Sequence, residues 1–249
     1  PGIPKRALAA FVGGAIAMYA VWYNKGRDKP VGLVADYLPT PPADLPAGVV
    51  GTLIDENADM KDIIATIVDL ARRGVIKIEE KETASFFGLT NRDFVYTLTQ
   101  PNAPLREYER ALLAAMFGGR TSIKLNDLRN KFYAHIPKIQ QLLYKEVVKE
   151  RFFEEEPSST RGRWAGLGVL VLLLAGVAFF VLLGSFGDLT GAVALPALGL
   201  GVVGFIMMAF SSAMPKRTDI GAEAAARWQA FYRYMKNIEK YTDVKEAKD

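Results

Sequence analysis

Three stretches of this chain run without a charge for long enough to cross a bilayer, and they decide what it can fold into. Ala7 to Tyr23 is an uncharged run of about 17 residues, Ala165 to Leu183 of about 19, and Ala192 to Met214 of about 23. A helix rises about 1.5 Å per residue, so about 20 apolar residues cross a hydrocarbon core. Inside lipid the backbone has no water to bond, so each run is expected to be helical. Transmembrane helices are therefore expected at 7–23, 165–183 and 192–214, with a short external turn at 184–191. A signal peptide is the rival reading of the first run. No small-x-small cleavage site follows it, whereas Lys25, Arg27 and Lys29 do, which favours a retained helix. Trp22 and Tyr23 stand at its exit, where aromatic rings favour the headgroup region.

Charge sets the expected topology. The 184–191 turn holds Asp188 and no Lys or Arg, while Lys25, Arg27, Lys29, Arg161, Arg163, Lys216 and Arg217 crowd the other ends of the runs. Positive charge stays on the cytoplasmic side. Residues 24–164 and the C-terminus are thus expected in the cytosol and the N-terminus outside, with residues 1–6 the outer end of a truncated or processed chain. No charged residue interrupts the runs, which argues against an ion or proton pathway built by this chain alone. Small residues that let helices approach closely are Gly13 and Ala17 in the first run and Ala197, Gly201 and Gly204 in the third. Gly199-Leu200-Gly201-Val202-Val203-Gly204 matches G-x-G-x-x-G, but it lies within an apolar run with no strand before it. Helix packing, not nucleotide binding, is its expected role.

Between the runs lies a polar domain. Residues 24–57 form a lead-in whose Pro39, Pro41, Pro42 and Pro46 enforce extended geometry. Leu38, Leu45, Val49, Val50, Leu53 and Ile54 make it too apolar for a free linker, so a strap over the domain is expected. Met60, Ile63, Ile64, Ile67, Leu70 and Ala71 recur at helical spacing, with Asp59 as N-cap and Gly74 as the left-handed stop. Ile76 and Ile78 then alternate with Lys77 and Glu79, and Phe94, Tyr96 and Leu98 alternate likewise. A helix followed by two such strands predicts a winged-helix-like unit over 58–100, with Gly74, Ile76 and Ile78 as its helix-to-wing turn. A second helical, winged-helix-like unit is expected over 101–157.

Winged helices often bind DNA, so the charge balance matters. Residues 24–160 hold 19 Lys and Arg against 20 Asp and Glu, without the basic footprint of a nucleic-acid reader. Lys138, Lys145, Lys149 and Arg151 form at most a stripe on one helix, and Arg72 and Arg73 suit a helix C-terminus. The chain has no cysteine and a single histidine, His135. Thiol chemistry, thiolate zinc sites and histidine-based catalysis have nothing to stand on. No catalytic, cofactor-binding or metal-ligating residue is identified.

The tail, 219–245, is expected to be a cytosolic amphipathic helix. Ala224, Trp228, Phe231, Met235, Ile238 and Thr242 recur at four- and three-residue steps. Trp228, Phe231, Met235 and Ile238 are the candidate docking residues. The stripe can pack on the chain's own domain, lie on the inner leaflet or clasp a partner helix.

These pieces resemble the YciQ-like predicted bacterial membrane proteins. The matching stretches are Pro41-Pro42 with Asp44-Leu45-Pro46, Gly51-Thr52-Leu53-Ile54-Asp55, and Ala65 through Gly74. Pro215-Lys216-Arg217-Thr218 with Gly221, Trp228 and Phe231 match as well. The resemblance implies a bacterial cytoplasmic membrane location and a domain outside the membrane before the first helix. It supplies no activity and no catalytic residues. It also implies, by gene neighbourhood only, an association with LemA-type membrane proteins. The expectation is a mainly α membrane protein with three transmembrane helices, a cytosolic α+β winged-helix-like domain of one or two units, and a C-terminal amphipathic helix. Its expected function is non-enzymatic: a docking or scaffold subunit whose partners are the bilayer and other membrane proteins. The competing reading is a membrane-tethered transcription regulator that binds DNA.

Overall fold

The structure, a computed structural model, describes residues 5–32, 34–84, 90–128, 132–186 and 191–237. In chain order the helices are α1 (Lys5–Lys25), α2 (Ala47–Asp55), α3 (Met60–Arg72), α4 (Glu107–Phe117), α5 (Leu125–Leu128), α6 (Ile136–Lys149), α7 (Pro157–Phe186), α8 (Leu195–Phe210) and α9 (Asp219–Lys236). The strands are β1 (Ile76–Ala84), β2 (Thr90–Leu98) and β3 (Ser122–Lys124). The chain divides into two compact units. One joins the residues up to 30 with 153–219, and the other joins 31–152 with the segment from 220 onward.

The first unit is helical. Among the described residues two helices are long and apolar enough to cross a membrane: 29 residues at Pro157–Ser185 and 19 at Leu195–Ala213. α8 lies against both α7 and α1. α7 begins at Pro157, eight residues before the uncharged run. Proline suits the first helical turn because its missing N–H would have no partner there. Pro196 does the same for α8. Phe153 and Arg217 form an isolated antiparallel bridge, with the Arg217 guanidinium 5.8 Å from the Phe153 ring centre. Arg217 also bonds Asp28 at 2.8 Å, and Lys29 pairs with Asp219 at 2.8 Å.

The second unit is α+β, and it corrects two expectations. The segments 58–100 and 101–157 are not tandem units. β3 pairs antiparallel with β2, setting Ile123 opposite Tyr96, so the sheet order is β1-β2-β3. Leu70, Val75 and Ile76 share one core with Leu112, Met116, Ile123 and Ile139. Segments this short bury little surface alone, so a shared core is the more stable arrangement. The lead-in is also not extended throughout. After Pro46, residues 47–55 form α2. Gly48 and Gly51 make this a poor helix by propensity. Tertiary contact with α3 supplies the reason for both glycines.

Candidate functional site

Three groups of side chains were candidates for function: the helix-to-wing turn, the membrane-helix contacts and the tail. The turn is built as glycine chemistry requires. Gly74 has φ +74° and its N–H bonds the Ala71 carbonyl at 2.9 Å, while Val75 bonds Leu70 at 2.9 Å. Ile76 is buried, and Ile78, one pleat further along the same face, is 36% exposed as β1 leaves the core. The arginines before the turn do more than suit a helix end. Arg72 pairs with Asp69 at 2.9 Å. Arg73 lies 3.2 Å from Asp69 and also bonds Glu109, which is fully buried on α4. Glu109 accepts the Arg106 backbone N–H at 2.8 Å, and the Arg106 guanidinium bonds Glu146 at 2.5 Å and also Glu150. The C-terminus of α3, the N-terminus of α4 and the C-terminus of α6 are thereby tied by two sets of ion pairs joined through one backbone hydrogen bond. Sequence periodicity missed Glu109 and Glu146: each has a partner three residues away, Arg106 and Lys149, but the cations that bury them, Arg73 and Arg106, come from distant segments.

A second buried acid sits at the crossing of α2 and α3. Asp59 caps α3, accepting from Lys61 at 2.8 Å and Asp62 at 3.4 Å, and Asp62 returns the bond from the Asp59 N–H at 3.1 Å. The Asp62 carboxylate also accepts from the Thr52 hydroxyl at 3.1 Å. A methyl group on Gly51 would fall 1.8 Å from Asp62 Oδ1, so only glycine lets the helices meet here. Burial pushes the Asp62 pKa up to about 6, against the opposing pull of the Asp59 and Thr52 bonds.

In the helical unit, Ala197 and Gly204 are buried, and a methyl on Gly204 would come 2.9 Å from the Gly168 carbonyl of α7. The α7–α8 crossing therefore pairs Gly168 with Gly204. Gly201 is looser: a methyl there would stand 3.7 Å from the Ala175 side chain, an ordinary contact. On α1 the contact falls one residue away from the expected pair. Gly13 and Ala17 are exposed, whereas Gly14 meets Val203 and Met18 is buried. One residue turns a helix by about 100°, so a stripe misplaced by one faces elsewhere.

The tail helix packs within the α+β unit. Gly221 lies so close to Phe152 that a methyl would sit 2.0 Å from its carbonyl oxygen. Ala222, Ala225 and Trp228 are buried, and Trp228 meets Phe231 edge-on at 5.7 Å. Phe231 is half-buried and Met235 exposed, so the docked face ends near Phe231, and Ile238 lies outside the described residues. The proline segment lies along this helix. Leu38 N–H reaches the Ala230 carbonyl at 3.5 Å, and Arg233 Nε donates to the Asp36 carbonyl at 3.1 Å. Pro42, Leu45, Phe152 and Trp228 line a small groove of about 260 Å³ between strap and helix.

The outward face of α3 carries an apolar patch in its middle turns, with Ile64 54% and Val68 57% exposed and Met60 one turn before, flanked by exposed Lys61 and Arg72 at its two ends. Among the described residues no three His, Asp or Glu side chains converge as metal ligands.

Two membrane-length helices, with an α+β domain inserted in the chain ahead of them, define the class: a membrane protein with an inserted α+β domain. Residues 34–248 match the C-terminal domain of the DUF2207 predicted membrane proteins, and the chain belongs to that family. No curated protein and no solved structure matches it.

Proposed function

We propose that the chain is a non-enzymatic docking subunit of the bacterial cytoplasmic membrane, held there by α1, α7 and α8, with the α+β domain and tail in the cytosol. The carrying observation is the outward face of α3, where Met60, Ile64 and Val68 are exposed. A helix that read DNA would carry cations and polar groups along these middle turns, whereas here Lys61 and Arg72 stand only at the two ends of the face. Both chain ends of the domain lead directly into membrane-flanking segments, so the partner that fits is another membrane protein with an apolar cytosolic segment. A LemA-type protein answers that description by family association.

The second reading, a membrane-tethered DNA-binding regulator, draws on the strand order. A winged helix runs helix, strand, helix, helix, then a hairpin, with the lone strand beside the second hairpin strand. Here α2, α3, β1 and β2 supply the helix pair and hairpin, and α4 and β3 supply the leading helix and lone strand afterwards. The domain is read as a circularly permuted winged helix. Its near-neutral charge favours protein over DNA.

The test is a photo-crosslinker at Ile64 in the full-length chain in native membranes. A membrane-protein adduct that disappears with Val68→Glu supports docking. Salt-sensitive DNA binding with no such adduct would overturn it in favour of the regulator. Orientation is tested separately. The absence of native cysteine makes Ser185→Cys and Asn102→Cys clean probes. Impermeant maleimide should label the first in intact cells and the second only after permeabilisation.

A further inference from the structure

At the end of the helical unit where α1 stops and α7 begins, a cavity of about 530 Å³ opens among the ends of the helices. Lys25, Lys216, Arg163, Glu154, Trp164 and Leu167 contribute its walls. Its depth is fixed by the chain. Arg163 and Leu167 are four residues apart on α7, about 6 Å along the helix. That distance carries the wall from a cation into the first turn of the uncharged run. Trp22 stands at the same level of α1, donating its indole N–H to the Ala213 carbonyl at 3.0 Å. Tryptophans and cations at such a boundary mark the level of phospholipid headgroups.

The charges of the cavity are not balanced internally. Glu155 is taken by Arg163 and accepts from Thr160 at 3.4 Å. Glu154 also lines the cavity, and its single carboxylate cannot neutralise both lysines. Lys25 and Lys216 come from opposite ends of the sequence, converge on the same cavity and have no ion-pair partner among the described residues. Three cations and two carboxylates leave one net positive charge. Met214, buried, and Leu167 supply an apolar floor. A cavity with two unpaired ammonium groups above an apolar floor, at headgroup depth, matches a phosphate diester carrying acyl chains.

We propose that this cavity binds one anionic glycerophospholipid, its phosphate held by Lys25 and Lys216 and its glycerol end against Leu167 and Met214. The bilayer is then a specific ligand as well as a solvent. Lysines near a membrane surface contribute about 1 kcal/mol each toward anionic lipid, so losing two should weaken binding roughly thirtyfold.

The experiment uses the full chain, delipidated in detergent and titrated with phosphatidylglycerol under native mass spectrometry. The wild type should bind one lipid, Lys25→Gln/Lys216→Gln should bind roughly thirtyfold more weakly, and Lys25→Arg/Lys216→Arg should keep most of the affinity. Lys145→Gln/Lys149→Gln, on α6, controls for general charge and should change nothing. Phosphatidylcholine, without net charge, should bind more weakly than phosphatidylglycerol, and inorganic phosphate should not compete at millimolar concentration. Equal binding by wild type and the double Gln variant would overturn the proposal. So would competition by free phosphate, which would make this an anion site and not a lipid site. If the Gln variant fails to fold, the choline-versus-glycerol comparison on the wild type decides alone.

Discussion

Gly51→Ala offers the sharpest test of how the α+β unit is held. The added methyl would lie 1.8 Å from Asp62 Oδ1, so the carboxylate must shift while remaining in the buried crossing, where it keeps its burial penalty. It then loses the bonds from Thr52 and the Asp59 N–H, each 3.1 Å in the native structure. Hydrogen bonds to a charged acceptor contribute about 1.5 kcal/mol each at the low end, so the loss is about 3 kcal/mol. Alanine is the better helix former by about 1 kcal/mol. The net destabilisation is then about 2 kcal/mol, roughly a thirtyfold increase in opening. Amide hydrogen exchange over residues 47–72 of the full chain reads this locally, without unfolding the membrane helices. The diagnostic comparison is the same substitution in an Asp62→Ala background. There the obstructing oxygen is gone and the propensity term stands alone, so Gly51→Ala should slow exchange about fivefold. The sign of the effect therefore reverses between backgrounds. The same sign in both would refute the claim that Asp62 is what requires glycine at 51.

Asp62 should also make the unit respond to pH. Its pKa is raised to about 6, so the native state favours the protonated form and the ionised form carries the burial penalty. That penalty is present above pH 6 and is relieved as pH falls through the folded pKa toward the unfolded value of about 3.9. Exchange over 47–72 should slow between pH 7 and 5, after correction for intrinsic rates, by about 1 kcal/mol of added stability, and Asp62→Asn should abolish the dependence. Arg73→Ala should cost about 3–5 kcal/mol, measured as a fall in the urea midpoint, because Glu109 is left charged and buried. Arg72→Ala should cost only about 1 kcal/mol, because the Arg72 side chain is largely exposed and buried Asp69 keeps Arg73 at 3.2 Å. Gly221→Ala should lift α9 from Phe152 and red-shift Trp228 emission, measured in a Trp22→Phe/Trp164→Phe background.

The turn from α3 into β1 was legible because its determinants are local. Gly74 follows the last apolar position of α3 by three residues, and Asp59 precedes the first, so cap, helix and stop can be read in one pass. The apolar runs of α7 and α8 were legible for the same reason, since length and absence of charge are properties of a single segment. α2 was not. Four prolines before it and two glycines within it argue locally for a non-helical lead-in, and what overrides them is the fit of Gly48 and Gly51 against Thr66 and Asp62. β3 was missed because three residues are too few to show alternation, and only its pairing with Val95 to Thr97 makes it a strand.

The membrane contacts show the same limit in a different form. A small-xxx-small pair in an apolar helix can be found at several registers, and hydropathy does not choose between them. α1 offers both Gly13 and Gly14, and the partner, not the sequence of α1, selects Gly14 by placing Val203 opposite. Gly168 was likewise invisible beside Gly162, Gly166 and Gly176 until Gly204 was set against it. The charged side chains at the helix ends obey the same logic. Lys25 and Lys216 read separately as topology signals, and each is sufficient in that role. Only their convergence on one cavity, while the neighbouring Arg163, Arg217 and Lys29 all find carboxylates, distinguishes them as cations left for a ligand.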